Sequence, residues 1–126
     1  MLTCQILNSD ATLNNFIDIG SKEFIPGEEF ILVVRGINKE LDLRYIPLST
    51  TVATCTLLDI DGNTISKVAT LMTDDRSIMS IAITEAESDT LASGTITFSL
   101  DELGDGTKIT KGIAEGALVR SIDGDC

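Results

Sequence analysis

Thr95-Ile96-Thr97-Phe98-Ser99-Leu100 is the stretch on which the fold class turns. Ile96, Phe98 and Leu100 fall on one side of an extended chain, and Thr95, Thr97 and Ser99 on the other. That period-two alternation belongs to a strand with one dry face and one wet face. Working towards the N-terminus, Thr84-Glu85-Ala86-Glu87 matches the S/T-x-x-E capping box and predicts one or two helical turns. Ala86 and Leu91 pack that helix down in this reading, and Gly94 ends it. Ser77–Ile83 sets Met79, Ile81 and Ile83 on one face of a strand. Asp61-Gly62 predicts a two-residue type I′ hairpin loop joining Thr50–Ile60 to Asn63–Met72. Leu41, Leu43 and Tyr45 alternate with Asp42 and Arg44 until Pro47 stops the strand. The apolar run Glu29–Arg35 reads as a central strand. Towards the C-terminus, Gly104-Asp105-Gly106 turns the chain into Lys108–Ile113, and Ala117–Ile122 is expected as the last strand.

Seven to eight short strands with Gly- and Asp-bearing turns predict an all-β, antiparallel immunoglobulin-like β-sandwich with one short helical turn, a small barrel being the competing architecture. The Cys…Trp…Cys hallmark of antibody domains is absent, so the immunoglobulin likeness concerns architecture alone. Residues 1–24 are expected as an N-terminal outer strand or an extended arm lying on a neighbouring subunit. Residues 25–122 form the sandwich, and 123–126 a frayed tail.

The chain of 126 residues has no His, no Trp and one Tyr, with twenty acids against nine bases and a net charge of −11. Lacking His, it lacks Ser-His-Asp and Cys-His mechanisms. Paired carboxylates can run glycoside hydrolysis, but the aromatic residues on which sugars stack are too few. The charge repels phosphate backbones and anionic lipid, so neither nucleic acid nor membrane is expected as a partner. No segment approaches the ~20 apolar residues that span a bilayer, and Met1–Leu7 lacks the basic start of a signal peptide. Asp59-Ile60-Asp61-Gly62-Asn63 does not match a calcium loop, because Gly62 follows Asp61 at once and no Glu comes six residues later. No Gly-rich phosphate motif occurs. Cys4, Cys55 and Cys126 are odd in number and widely spaced, which predicts free thiols in a reducing cytoplasm. No catalytic residue, metal ligand or cofactor is expected.

Interaction remains. Thr50–Thr56 and Thr95–Ser99 present flat, uncharged, strand-forming faces that can act as solvated central strands or as unguarded edges open to strand addition. The candidate interface comprises Leu2, Ile6, Leu13, Phe16, Ile17 and Ile19 of the N-terminal segment, with Thr95 and Thr97.

Four stretches carry a resemblance: Phe24-Ile25-Pro26-Gly27-Glu28-Glu29-Phe30, Leu43-Arg44-Tyr45-Ile46-Pro47, Asp74-Asp75-Arg76-Ser77-Ile78, and Ile83-Thr84-Glu85-Ala86-Glu87-Ser88-Asp89-Thr90-Leu91-Ala92-Ser93-Gly94. Over roughly residues 24–122 they resemble the immunoglobulin-like N-terminal domain of the baseplate upper proteins of tailed phages. The resemblance implies a non-enzymatic structural protein of a virion, assembled in the host bacterial cytoplasm. The chain departs from that family by having no coiled stem or receptor-binding head after the β domain, and by its additional N-terminal segment. The expected roles are therefore decorating or cementing the capsid, or attaching fibres. A baseplate or neck component is one alternative, and a carbohydrate- or protein-binding module is another. The partners implied are other virion proteins and further copies of the chain, a trimer by analogy.

Overall fold

The alternating stretches become nine strands and one short helix in a computed structural model, which describes residues 2–7, 19–38 and 43–121. The strands are β1 (Leu2–Leu7), β2 (Lys22–Phe24), β3 (Phe30–Asn38), β4 (Leu43–Arg44), β5 (Val52–Leu58), β6 (Thr64–Leu71), β7 (Ile78–Ile83), β8 (Gly94–Asp101) and β9 (Ile109–Arg120), with α1 (Glu85–Thr90) between β7 and β8. Seven of them close on themselves in the order β1-β3-β7-β6-β5-β8-β9, and β9 returns to β1. Around a closed ring the number of antiparallel joints must be even, so a ring of seven needs a parallel one. That joint is β1–β9, where Leu2, Thr3 and Cys4 lie beside Gly112, Ile113 and Ala114. β2 continues along the same edge of β9, parallel to it, from Lys22–Leu118 to Phe24–Arg120. β4 pairs with the end of β3.

The all-β class stands. Where the sequence predicts a sandwich, the sheet is continuous, though its joints are uneven. β6 meets β7 only at Thr70–Ser80 and Leu71–Met79. This joint and β1–β9 divide the ring into a three-strand half (β1-β3-β7) and a four-strand half (β6-β5-β8-β9). Side chains of one parity from both halves fill the interior: Cys4, Ile6, Leu32, Val34, Cys55, Leu57, Met79, Ile81, Ile96, Phe98 and Leu100 are all buried there. The core is aliphatic, with Phe24 and Phe30 stacked at 5.4 Å where β2 meets the start of β3. Leu7, Val33 and Ile78 have the opposite parity and form a second small cluster with Met72.

Several expectations are corrected. Of the outer strand or arm expected for the N-terminal segment, Leu2–Leu7 is a strand, but an inner one: it pairs with β3 on one side and β9 on the other, and its alternate side chains enter the core. Lys108–Ile113 and Ala117–Ile122, whose last residue lies outside the described ones, are expected as two strands, but β9 runs unbroken from Ile109 to Arg120 through Gly112 and Gly116, with a register shift opposite Thr95 and Thr97. Both glycines allow close approach, and Gly116 also lies in the stretch where the register of β9 shifts against Thr95 and Thr97. Leu2 packs on Gly112, and the Gly20 carbonyl fills the space where a side chain at 116 would go. The hairpin loop is Ile60-Asp61-Gly62, three residues rather than two, closed by Asp59 N–H donating to the Asn63 carbonyl at 2.9 Å. Gly62 supplies the left-handed residue of that loop, at φ +87°. The capping box forms as written, with Glu87 N–H on Thr84 Oγ1 and Thr84 N–H on Glu87 Oε1. The helix stops earlier than Gly94, at Thr90, and it packs through Leu91 and Ser88 while Ala86 is exposed.

Candidate interaction surface

Among the described residues, the ion pairs and the carboxylate hydrogen bonds gather at the two ends of the ring. At one end, the connection from β4 to β5 crosses the turn between β8 and β9. Glu102, 8% exposed, sits at the crossing. The Tyr45 hydroxyl donates to its Oε1, Lys108 Nζ lies 3.3 Å from its Oε2, and the Thr110 hydroxyl joins the group. The Glu102 carbonyl accepts the Thr50 hydroxyl at 2.8 Å and the Thr51 hydroxyl at 3.3 Å. Tyr45 holds the Glu102 carboxyl below its ordinary range, with Lys108 adding to the effect against the opposing pull of burial. Burial and the carboxylate together raise the Tyr45 phenol.

Beside this crossing, Asp75 accepts from the Ser77 N–H (3.1 Å) and hydroxyl (2.6 Å), and pairs with Arg44 at 2.8 Å. Burial alone would raise its pKa, but these partners outweigh burial and lower it. Arg76 Nε donates to the Pro47 carbonyl at 2.8 Å, which ties the β6–β7 turn to the residue that ends the β4 stretch.

The other end carries α1, the hairpin tip and the β2–β3 turn. Among the described residues it holds Glu28, Glu29, Asp59, Asp61, Glu85, Glu87 and Asp89 against Lys22, Lys67 and Arg120. Lys67 Nζ meets both Glu87 oxygens at 2.8 Å, and this ammonium together with the Thr84 N–H holds Glu87 below the usual carboxylate range. Ser88 Oγ accepts the Gly27 N–H at 3.0 Å, and Arg120 donates to the Leu91 carbonyl at 2.7 Å.

Several of the chain's carboxylates are occupied by its own turns. Asp59 Oδ1 accepts the N–H groups of Asp61 and Asn63, both at 2.9 Å, which gives a structural reason for the acidic hairpin. Asp101 accepts the Gly106 N–H, and Asp105 the Thr107 N–H and hydroxyl. Among the described residues, no group of three or more Cys, Asp or Glu side chains is arranged to hold a metal ion. Cys4 and Cys55 lie inside the ring, where burial pushes both thiols up to about 12. Cys126 lies outside the described residues.

Between the two ends, the outside of the four-strand half is almost uncharged. By register, Val68, Thr54, Ser99 and Lys111 form one row, and Ser66, Thr56, Thr97 and Ile113 the next. An open groove of about 220 Å³ runs along it, lined by Thr56, Thr97, Phe98, Ser99, Lys111, Gly112 and Ile113. Lys111 Nζ reaches Ser99 Oγ at 3.4 Å.

The residues expected at an interface are dispersed. Leu2 and Ile6 are buried in the chain's own core and are not available to another subunit. Ile19 is exposed, and its N–H donates to the Ile6 carbonyl at 2.9 Å. Thr95 and Thr97 are exposed on β8, but β8 lies between β5 and β9, so their strand has no open edge. β5 is likewise central, between β6 and β8. Leu13, Phe16 and Ile17 fall outside the described residues. The Tyr45–Glu102 and Lys67–Glu87 contacts join residues 57 and 20 positions apart, and no local pattern announces either. Compared with known proteins, the chain matches no protein-family model and no curated protein.

Proposed function

We propose that this chain is a non-enzymatic structural protein of a tailed-phage particle, one that decorates or cements the capsid or attaches fibres, and that acts as a homo-oligomer. The observation that carries the reading is where the chemistry-bearing side chains are placed. The described thiols, Cys4 and Cys55, are buried, and Asp59, Asp75, Glu87, Asp101, Glu102 and Asp105 each accept bonds that brace turns or crossings. What the surface offers a partner is a broad face of hydroxyls and aliphatic groups rather than a reactive cleft. The likeness to phage baseplate domains supplies the virion context. An immunoglobulin-like architecture belongs to the same reading, since parting the ring at β1–β9 and β6–β7 leaves halves of three and four strands, as in a seven-stranded sandwich.

Immunogold electron microscopy on particles from the source lysate tests the proposal. Label spread over heads supports decoration or cement, and label at one end supports a tail or neck component. The absence of label on any particle would overturn the virion reading.

A further inference from the structure

The joint between β6 and β7 leaves part of a strand edge unpaired. Asp59 N–H donates to the Asn63 carbonyl, and the register runs on through Leu57–Ile65, Cys55–Lys67 and Ala53–Ala69. The odd-numbered residues of β6 therefore turn their N–H and C=O groups to β5, and the even-numbered ones turn theirs away. On that far side Thr70 meets Ser80, and Met72 N–H donates to the Ile78 carbonyl at 2.9 Å. Before Thr70 the two strands part, and no described strand pairs there with Thr64, Ser66 or Val68.

We propose that this edge pairs with the same edge of a second copy, antiparallel about a two-fold axis, with Ser66 opposite the partner's Ser66 and Thr64 opposite the partner's Val68. The side chains fit: Thr64 and Ser66 are small and exposed, and Val68, at 69%, is the most exposed large hydrophobic residue among those described. The charge fits as well. Each copy carries −11, but the outward positions of β6 and the neighbouring β5 are all uncharged, and Glu87, the carboxylate beside this edge, is held by Lys67, so the paired strands themselves set no free carboxylate against another. An inward-pointing lysine on an edge normally deters pairing, because a docked strand buries it. Here Glu87 neutralises Lys67 through both carboxylate oxygens. The pairing uses up the edge on both copies, so association stops at a dimer rather than the trimer expected by analogy. Five residues a side make a small interface, and the dissociation constant is on the order of 10 μM or weaker.

The pairing goes beyond the virion reading and does not depend on it. Monomeric protein found on particles overturns the pairing alone, and dimers absent from particles overturn the virion reading alone. Sedimentation equilibrium of the full chain, from about 1 μM to about 1 mM, spans the weak-interface range and tests the pairing. The expected result is a monomer–dimer equilibrium that tightens several-fold between low and high salt, as screening relieves the repulsion. Hydrogen exchange then shows the amides of Thr64, Ser66 and Val68 slowing with concentration, while those of Ile65, Lys67 and Ala69 are slow throughout. Ser66→Pro removes a donor that faces away from β5, so it leaves the β5–β6 ladder intact and abolishes the dimer. Val68→Lys, which changes no backbone group, does the same. A chain that stays monomeric throughout, a trimer, or dimers that persist in both variants would each overturn the proposal.

Discussion

Gly116→Ala inverts an ordinary rule. In a strand interior, replacing Gly by Ala normally stabilises by roughly 0.5–1 kcal/mol, because the unfolded chain loses freedom. Gly116 sits inside β9 without a left-handed φ, so its backbone raises no objection. The objection comes from space: an added methyl group lands on the Gly20 carbonyl and within 3.1 Å of Ser21 Oγ. Backbone cannot swing aside as a flexible side chain can, so the Gly20–Ser21 segment has to move. Forcing an extra methyl into a filled site costs about 1–3 kcal/mol. Moving Ser21 also breaks its hydroxyl's bond from the Ala117 N–H, 3.1 Å long, at a further cost of about 1 kcal/mol. Net of the backbone gain, we expect destabilisation of about 1–3 kcal/mol, which for a chain this size lowers Tm by roughly 5–12 °C. Two further strand glycines calibrate the scale. At Gly36 an added methyl meets nothing nearer than 3.4 Å, and at Gly112 it meets Leu2 atoms at 3.2–3.3 Å. Melting followed by far-UV circular dichroism should rank Gly36→Ala above Gly112→Ala and Gly112→Ala above Gly116→Ala. A Gly116→Ala protein that melts at or above the wild-type temperature refutes the close approach of Gly20 to β9.

Other perturbations reach other parts of the molecule. Tyr45→Phe and Glu102→Gln should each cost about 1–3 kcal/mol at neutral pH, measured by urea denaturation. Because the Glu102 pKa is lowered on folding, its contribution is complete above the ordinary Glu range and disappears as pH falls through the folded value. The stability gap between wild type and Glu102→Gln should accordingly narrow in acid; a gap that widens there contradicts the pairing. Thr84→Ala removes the acceptor of the Glu87 N–H and should cost about 1 kcal/mol, while Thr84→Ser should cost less. Cys4 and Cys55 should resist a thiol reagent at pH 8 in the folded protein and react once it is unfolded; native labelling of either would show that the ring opens readily.

Features written within a few residues of one another were legible in the sequence. The alternation of Thr95–Leu100 becomes β8, and the Thr84–Glu87 capping box forms atom for atom. Closure was not legible. It depends on Leu2–Cys4 lying parallel to Gly112–Ala114, and a parallel pairing across such a separation leaves no turn signal to read. The same blindness made Leu2–Leu7 look peripheral. Gly112 and Gly116 could not be resolved from sequence, because glycine marks a turn, a bulge and a close approach with the same letter. The threonine faces announced strands with a wet side, yet could not say that β5 and β8 are central while part of the β6 edge is left unpaired.

The parallel joint also sets an order of events during synthesis. β1 is made before all the strands between it and β9, one of its two neighbours. Until residues 109–120 exist, the β1 edge that β9 will cover stays open, and Leu2, Cys4 and Ile6 have no closed interior to enter. Contacts of such long range make folding slow and leave strand edges exposed meanwhile. Over that interval the nascent sheet stays open, and the ring can close only once β9 is made. Chaperone dependence and aggregation should be governed by that interval, and a circular permutant that makes β9 immediately before β1 should shorten it.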